Sequence, residues 1–298
     1  MSRVIAILVS DVHLCHTPPP ARAGEPNWYA AMRRPLDEIR QLAYKERCPV
    51  VYAGDIFDRW GPPVELVNFA IDHLPHGYAI YGQHDMPNHA VEEFDRTAYA
   101  TLCRTGKLCN ILPGTHDCQF GELVLHGFPW NVPLEPLPDP YVLHMAVCHR
   151  YIWTQGHGYT GADAAATPTA FAGLLQGYQV AHFGDNHSGF IAQAGDCVVA
   201  NCGAMMRRRS DEGDYRPWVG LLGENGSVRR HYLDTSKDVF DSGGEVVVAE
   251  QTVEMQAFFA GLVGLQQDEL DFRVVVNAAL SASNVSEGCK RRVLEAVG

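Results

Sequence analysis

Five short groups of acidic and imidazole side chains follow one another along the sequence, each behind an apolar run. They are Asp11-x-His13, Asp55-x-x-Asp58 after Gly54, Gln83-His84-Asp85 after Gly82, His149 after Val147-Cys148, and Asp185-Asn186-His187 after Gly184. One such group alone is weak, because an isolated Asp-x-His is more often a capped turn than a ligand pair. Five in order at the carboxyl ends of predicted strands are what a crevice between strand ends requires. Carboxylate, imidazole and amide oxygen donors without a thiolate suit hard or borderline divalent ions. Asp11 and His13, two apart on an extended segment, can face the same side. A carboxylate such as Asp55 can bridge two ions ~4 Å apart, and such a pair activates a water while clamping both oxygens of an in-line displacement at phosphorus. Phosphoester hydrolysis is therefore the default chemistry. Two divalent ions would add about four positive charges, which lets an acidic chain accept a polyanion.

The elements that must position these groups follow from patterning. Arg3 to Ser10, Pro49 to Gly54 and Tyr78 to Tyr81 read as strands. Pro35 to Arg47, Val64 to Leu74 and Ala90 to Leu102 read as helices, so the first half alternates in the manner of βαβ units. Strands dominate from Cys109 onward, around Glu122 to His126, Met145 to Cys148 and Val180 to Phe183. Two hairpins follow, turning at Ala194-Gly195-Asp196 and at Asn225-Gly226. Two packed sheets with helices outside are expected: an α/β, four-layer αββα sandwich over residues 1–236. A linker at 237–244 and a small C-terminal α/β appendage at 245–298 complete the layout. The Pro-rich loop 17–26 and the Gly/Ala-rich loop 154–167 are expected to be mobile.

With 298 residues, 46% of them hydrophobic, the chain can bury a core, and its net charge of −12 argues against a basic nucleic-acid coat. No run approaches the ~20 apolar residues of a membrane span. Val4 to Val9 lacks the flanks of a signal peptide, so a cytoplasmic protein with no membrane partner is expected. The nine cysteines contain no Cys-x-x-Cys pair, which signals neither a disulfide framework nor a zinc ribbon.

In their order, the five groups resemble the signature of calcineurin-like metallophosphoesterases. Gly54-Asp55-Ile56-Phe57-Asp58 followed by Pro62-Pro63 is similar to the form found in SbcD-type DNA repair nucleases. Asn201 to Arg207 and His126 to Trp130 resemble two later segments of such nucleases. The resemblance spans roughly Val4 to Leu233 and implies one metal held by Asp11, His13, Asp55 and His187, and another held by Asp55, Gln83, His149 and Asp185. Two divalent ions are implied, manganese first, with magnesium, iron or zinc as options. It further implies that His84 protonates the leaving oxygen with Asp85 orienting it, that Asp58 supports a ligand from outside the coordination sphere, and that DNA is the substrate. An SbcC-like ATPase partner follows from resemblance alone, and a homodimer is a further option. Gln83 stands where the family has Asn, and Asp185 where it has the first His of Gly-His-x-His; both changes keep a donor and harden the second site. The same scaffold could instead serve small phosphoesters or nucleotides, or act as a non-catalytic interaction module.

Other candidates have blander uses. His16, His89, His126, His144 and His157 fit no slot and read as structural or surface histidines. Arg207 and Arg208, with Arg209 beside them and Arg59 after Asp58, could fork to a DNA backbone, although a charge run is usually a solvated face. Trp28, Trp60 and Trp153 flank the site loops and read first as apolar anchors.

Overall fold

The structure is a computed structural model that describes residues 2–241 apart from 88–89, 113–117, 122, 138–141 and 160. Val4–Val9 is apolar throughout, which a strand tolerates only when both faces are covered. It forms β1, and β2 (Val50–Ala53), β3 (Gly77–Ile80) and β4 (Leu108–Asn110) follow it in the first half. Later come β5 (Cys118–Phe120), β6 (Leu123–Phe128), β7 (Leu143–His149), β8 (Val180–Gly184), β9 (Phe190–Ala194), β10 (Cys197–Asn201), β11 (Trp218–Gly223) and β12 (Val228–Tyr232). They make two six-stranded sheets, β12-β11-β1-β2-β3-β4 and β5-β6-β7-β8-β10-β9. β1, β2, β3 and β4 run parallel, as do β6, β7, β8 and β10, so each sheet delivers several strand ends to one edge.

Three apolar clusters fill the three gaps between four layers. Leu8, Val51, Ala53, Ile80, Leu125, Val147 and Ala200 pack between the sheets. Ile7, Val50, Tyr52 and Ala79 on the outer face of the first sheet meet α1 (Trp28–Glu46), α2 (Val64–His73) and α3 (Ala98–Arg104). Ala146, Cys148, Ala181, Phe183 and Val199 meet the short α4 (Pro168–Phe171). The expected four-layer α/β order is thus observed, and both hairpins turn where the sequence places them.

Two helices differ from expectation. α1 starts at Trp28 rather than Pro35, because the Asn27 side chain accepts from Ala30 N at 3.0 Å and caps the helix a full two turns earlier. Pro35 sits inside it. The helix expected over Ala90 to Leu102 splits into a 3-10 turn, Val91–Arg96, and α3, because the Thr97 hydroxyl caps a new start by accepting from Ala100 N. The loop 17–26 contains a 3-10 turn whose Arg22 is 1% exposed.

The described part of the expected linker is tied to the body. Asp238 accepts from Arg22 Nη2 and Arg34 Nη2, each at 3.0 Å, and Arg207 Nη2 lies 3.5 Å away. Glu25 holds the same two arginines at 2.6 and 2.7 Å. The appendage expected at 245–298 lies outside the described residues. No helix among them is long and apolar enough to cross a membrane.

His182, on β8, is fully buried and reaches between the sheets: its Nε2 lies 3.0 Å from the Val9 carbonyl and its Nδ1 3.4 Å from that of Ala200. Burial pushes this imidazole down to about 4 from 6.5. The unfolded chain takes up the proton near pH 6.5 and the folded one only near 4, so stability should fall as pH drops through that window. Urea denaturation at pH 7 and pH 4.5 should register a loss approaching about 3 kcal/mol from this group, and His182→Gln should flatten that part of the profile.

Candidate metal centre

Five strand ends converge. Asp11 and His13 follow β1, Asp55 follows β2, Gln83 to Asp85 follow β3, His149 closes β7, and Asp185 and His187 follow β8. Sharp turns aim these side chains inward. Of the six non-glycine residues with positive φ among the described residues, four are Asp11 (45°), His13 (46°), Asp55 (50°) and Asp185 (77°). Each such residue costs on the order of 1 kcal/mol, and strain of this kind gathers where a site demands it. Close approach is bought with glycine: a Cβ on Gly54 (φ +92°) would lie 2.3 Å from His149 Nδ1, and one on Gly82 2.1 Å from Asp55 Oδ1.

Asp55 is the hub. Its Oδ1 accepts from His84 N at 3.0 Å. Its Oδ2 faces three imidazoles, with His149 Nε2 at 3.4 Å, His13 Nε2 at 3.6 Å and His84 Nε2 at 3.9 Å. His13 Nε2 and His187 Nε2 stand 2.9 Å apart, and His13 Nε2 is 4.0 Å from Asp11 Oδ1. The other nitrogen of His149 donates to Ala53 O at 2.5 Å, which leaves Nε2 without a proton in the neutral ring and pointed at the hub.

Nitrogens and oxygens facing one another across a dry space call for a cation. Three groups of candidate ligand atoms lie within 4.8 Å of one another: Asp11, His13 and His187; His13, Asp55 and His84; Asp11, Asp55 and His149. Asp11 Oδ2, His13 Nδ1, Asp55 Oδ2, Gln83 Oε1 and His149 Nε2 are buried and accept or donate no hydrogen bond. Buried polar atoms are almost always satisfied, so unpartnered ones in a single crevice mark missing positive charge. The electrostatics agree. Burial pushes the Asp11 carboxyl well up and the neighbouring Asp55 charge adds to this. Burial opposes ionisation of Asp55 too, yet His149, His13 and His84 hold it well below the usual carboxylate range. His149 is pushed up to about 10 against its own burial, by Asp55, Asp11 and Asp185. Burial and the positive charges beside it push His13 down, which keeps its ring available as a ligand. The donor set therefore fits divalent cations.

Gln83 and Asp185 meet directly. Gln83 Nε2 donates to Asp185 Oδ1 at 2.6 Å, while Asp185 N donates to Asp11 Oδ1 at 2.9 Å. Asp185 joins none of the three ligand groups; it steers the Gln83 amide so that its oxygen, buried and unpartnered, is the donor left over.

Several expected roles change. Asp85 does not orient His84: its carboxylate is fully buried and accepts from Ile56 N at 3.2 Å, Phe57 N at 3.1 Å and Gly82 N at 3.0 Å. A short, fully buried carboxylate can satisfy those three donors or turn to an exposed ring, and the donors win. His84 is oriented by Asp58 instead, through Nδ1 and the Asp58 carbonyl at 3.0 Å. The Asp58 carboxylate stands 3.7 Å from His13 Nδ1, and Arg208 Nη2 donates to it at 2.5 Å. Arg208 is thereby occupied. Arg207 turns away to Asp238 and stacks on Phe240, 4.4 Å from the ring centroid, so neither arginine is free for a phosphate backbone. Arg59 is exposed.

Sequence reasoning passed over Ser10, Asn186 and Asn201. Ser10 Oγ donates to Phe183 O and accepts from Cys202 N, joining the sheets beside the hub. Asn186 Nδ2 donates to Ile152 O and His157 O, each at 2.8 Å. Asn201 donates to Gly184 O and accepts from Gly203 N. Ser10 and Asn186 adjoin candidate ligands in the sequence, and Asn201 opens the segment running to Arg207. His16 meets Tyr29 OH and His126 meets His144, while His89 lies outside the described residues. Trp28 and Trp153 brace loops through indole donors to Cys15 O and Asp163 O.

No family model and no curated protein matches the chain. Solved structures do. An archaeal phosphodiesterase is 12% identical over 76% of this chain and 99% of its own, with a TM-score of 0.40. A metallophosphoesterase from Sphaerobacter thermophilus is 14% identical over 77% of this chain and 88% of its own, at 0.37. A Staphylococcus aureus protein with a provisional 5′-nucleotidase name, crystallised with alpha-ketoglutarate, is 13% identical over 86% of this chain and 57% of its own, at 0.40.

Asp85→Ala would leave three buried N–H groups without an acceptor. Its unfolding free energy, measured in urea, should fall by about 3 kcal/mol or more, with uptake of added divalent metal falling in the folded fraction as the loops bearing Asp55 and His84 loosen.

Proposed function

We propose that the chain is a divalent-metal-dependent phosphodiesterase, and within that class a DNA nuclease resembling the SbcD type. The observation that carries the first statement is the set of unpartnered buried donors around Asp55 Oδ2, contributed by both sheets. Two divalent ions seated there, manganese by preference and magnesium, iron or zinc otherwise, would supply an activated water and neutralise charge growing at phosphorus. Asp11, His13, Asp55 and His187 would hold one, and Asp55, Gln83 and His149 the other, with Asp185 fixing the Gln83 amide.

The protein's own groups supply the rest. His84 is 45% exposed on its side chain, so its Nε2 can reach a bound ester. With Nδ1 committed to the Asp58 carbonyl, Nε2 of the protonated ring is the nitrogen that would give a proton to the departing sugar oxygen or donate a hydrogen bond to a non-bridging phosphoryl oxygen. Arg59 is the basic residue left to meet a strand. An SbcC-like ATPase partner follows from the resemblance alone, and a second copy of the chain is a separate option. Hydrolysis of small phosphodiesters is the second reading, favoured by the commitment of Arg207 and Arg208 to Asp238 and Asp58.

The test uses purified protein with manganese, given linear plasmid and a chromogenic diester. Cleavage of both supports the nuclease; cleavage of the small ester with intact DNA selects the second reading. If neither reacts while metal is bound, the scaffold is an interaction module. His84→Ala should lower kcat by roughly 10²- to 10⁴-fold with metal content unchanged, whereas Asp55→Asn should lose both metal and activity.

A further inference from the structure

The loop that follows His149 carries an aromatic pair that the metal centre does not use. The Tyr151 and Tyr159 rings lie 5.0 Å apart, tilted by 56°, and Tyr159 is 61% exposed. A single exposed tyrosine needs no explanation. This pair is different, because the loop is fastened to the metal-binding turn itself. Asn186 Nδ2 donates to the carbonyls of Ile152 and His157, and the His157 ring meets Ser188 Oγ at 3.0 Å, so residues on both sides of His187 hold it. Within the loop, Tyr159 N donates to Tyr151 Oη at 3.2 Å, Trp153 N to Ala166 O at 2.9 Å and Ala162 N to Tyr159 O at 3.0 Å. Gly158 passes against the Trp153 ring, where a Cβ would come within 2.7 Å.

The chain also ties both rings to the candidate ligands: Tyr159 lies two residues beyond His157, whose carbonyl accepts from Asn186 Nδ2 beside His187. Tyr151 stands two residues beyond His149, no more than about 7 Å along the chain. A phosphate at the metal centre would carry its own nucleoside within reach of this face, and aromatic rings held on a braced loop lose little freedom on stacking.

We propose that Tyr159, backed by Tyr151, is a stacking platform for the nucleobase next to the scissile phosphate, which makes the substrate a base-bearing phosphodiester rather than an alkyl or lipid one. This rests on the phosphodiesterase reading for its meaning but not for its test. Tyr159 is a specificity residue and takes no part in bond making.

The experiment measures equilibrium binding of thymidine 5′-monophosphate and of methyl phosphate to the full chain loaded with manganese, by calorimetry. The nucleotide should bind about 10-fold more tightly in the wild type, Tyr159→Ala should remove that preference without weakening methyl phosphate, and Tyr159→Trp should retain it. Equal affinities for the two ligands in the wild type, or a preference that survives Tyr159→Ala, would overturn the proposal. Thymidine p-nitrophenyl phosphate and methyl p-nitrophenyl phosphate provide the kinetic arm: Tyr159→Ala should raise KM about 10-fold for the first alone, with kcat changed less than about 2-fold. If neither ester is hydrolysed but the binding preference depends on Tyr159, the platform stands and the phosphodiesterase reading falls. A short single strand and a dinucleotide identify the source of the base: tighter binding of the strand, lost in Tyr159→Ala, marks a strand end, and equal Tyr159-dependent binding marks the dinucleotide.

Discussion

Burying an ionised carboxylate costs several kcal/mol unless positive charge meets it. Asp55 is 1% exposed, and among the described residues its ion-pair partners are imidazoles and never an arginine or lysine. That is the constraint on which the site depends. Imidazoles answer a carboxylate only when protonated, and protonating three of them in one dry crevice would set like charges against each other. The depressed His13 and the elevated His149 record this competition, with one ring charged and another kept neutral. A divalent cation resolves it at once, since neutral rings and the carboxylate can all face the same ion.

Meeting that constraint needs two sheets rather than one. β1, β2 and β3 bring Asp11, His13, Asp55 and the Gln83 to Asp85 turn, and β7 and β8 bring His149, Asp185 and His187. The sheets are locked across their interface by polar contacts near the crevice: His149 to Ala53 O, His182 to Val9 O, and Ser10 to Phe183 O and Cys202 N. Each satisfies a strand-end group that would otherwise be buried without a partner. Polar links of this kind are unforgiving of misalignment, so they fix the relative register of the layers in a way that apolar packing alone does not.

Much of this was legible in the sequence because it rests on short-range signals. Strand ends are marked by apolar runs that stop at glycine and acid, and the donors follow within three residues, so Asp11, His13, Asp55, His149 and His187 could be read before any coordinates. What could not be read depends on distance in space. Whether Asp85 serves His84 or three backbone N–H groups is decided by how the loops after β2 and β3 stack. Whether Arg207 and Arg208 face a substrate is decided by where Asp58 and Asp238 lie, the latter 30 residues further on. The early start of α1 was hidden because Pro35 looks like a first residue, although a proline tolerated eight residues into a helix leaves the same trace.

Gln83 and Asp185 act as a single unit. Asp185 has no proton to give when ionised, so the Gln83 atom 2.6 Å from its Oδ1 must be the amide nitrogen. That fixes the other half of the amide as oxygen, and it is this oxygen that is buried and unpartnered. The extra methylene of Gln over Asn supplies the reach to touch Asp185 while still presenting the oxygen inward. Of the two side chains, Gln83 is therefore the one left with a buried acceptor that nothing satisfies. The Asp185 carboxylate in turn shares its negative charge with the N–H donor from Gln83.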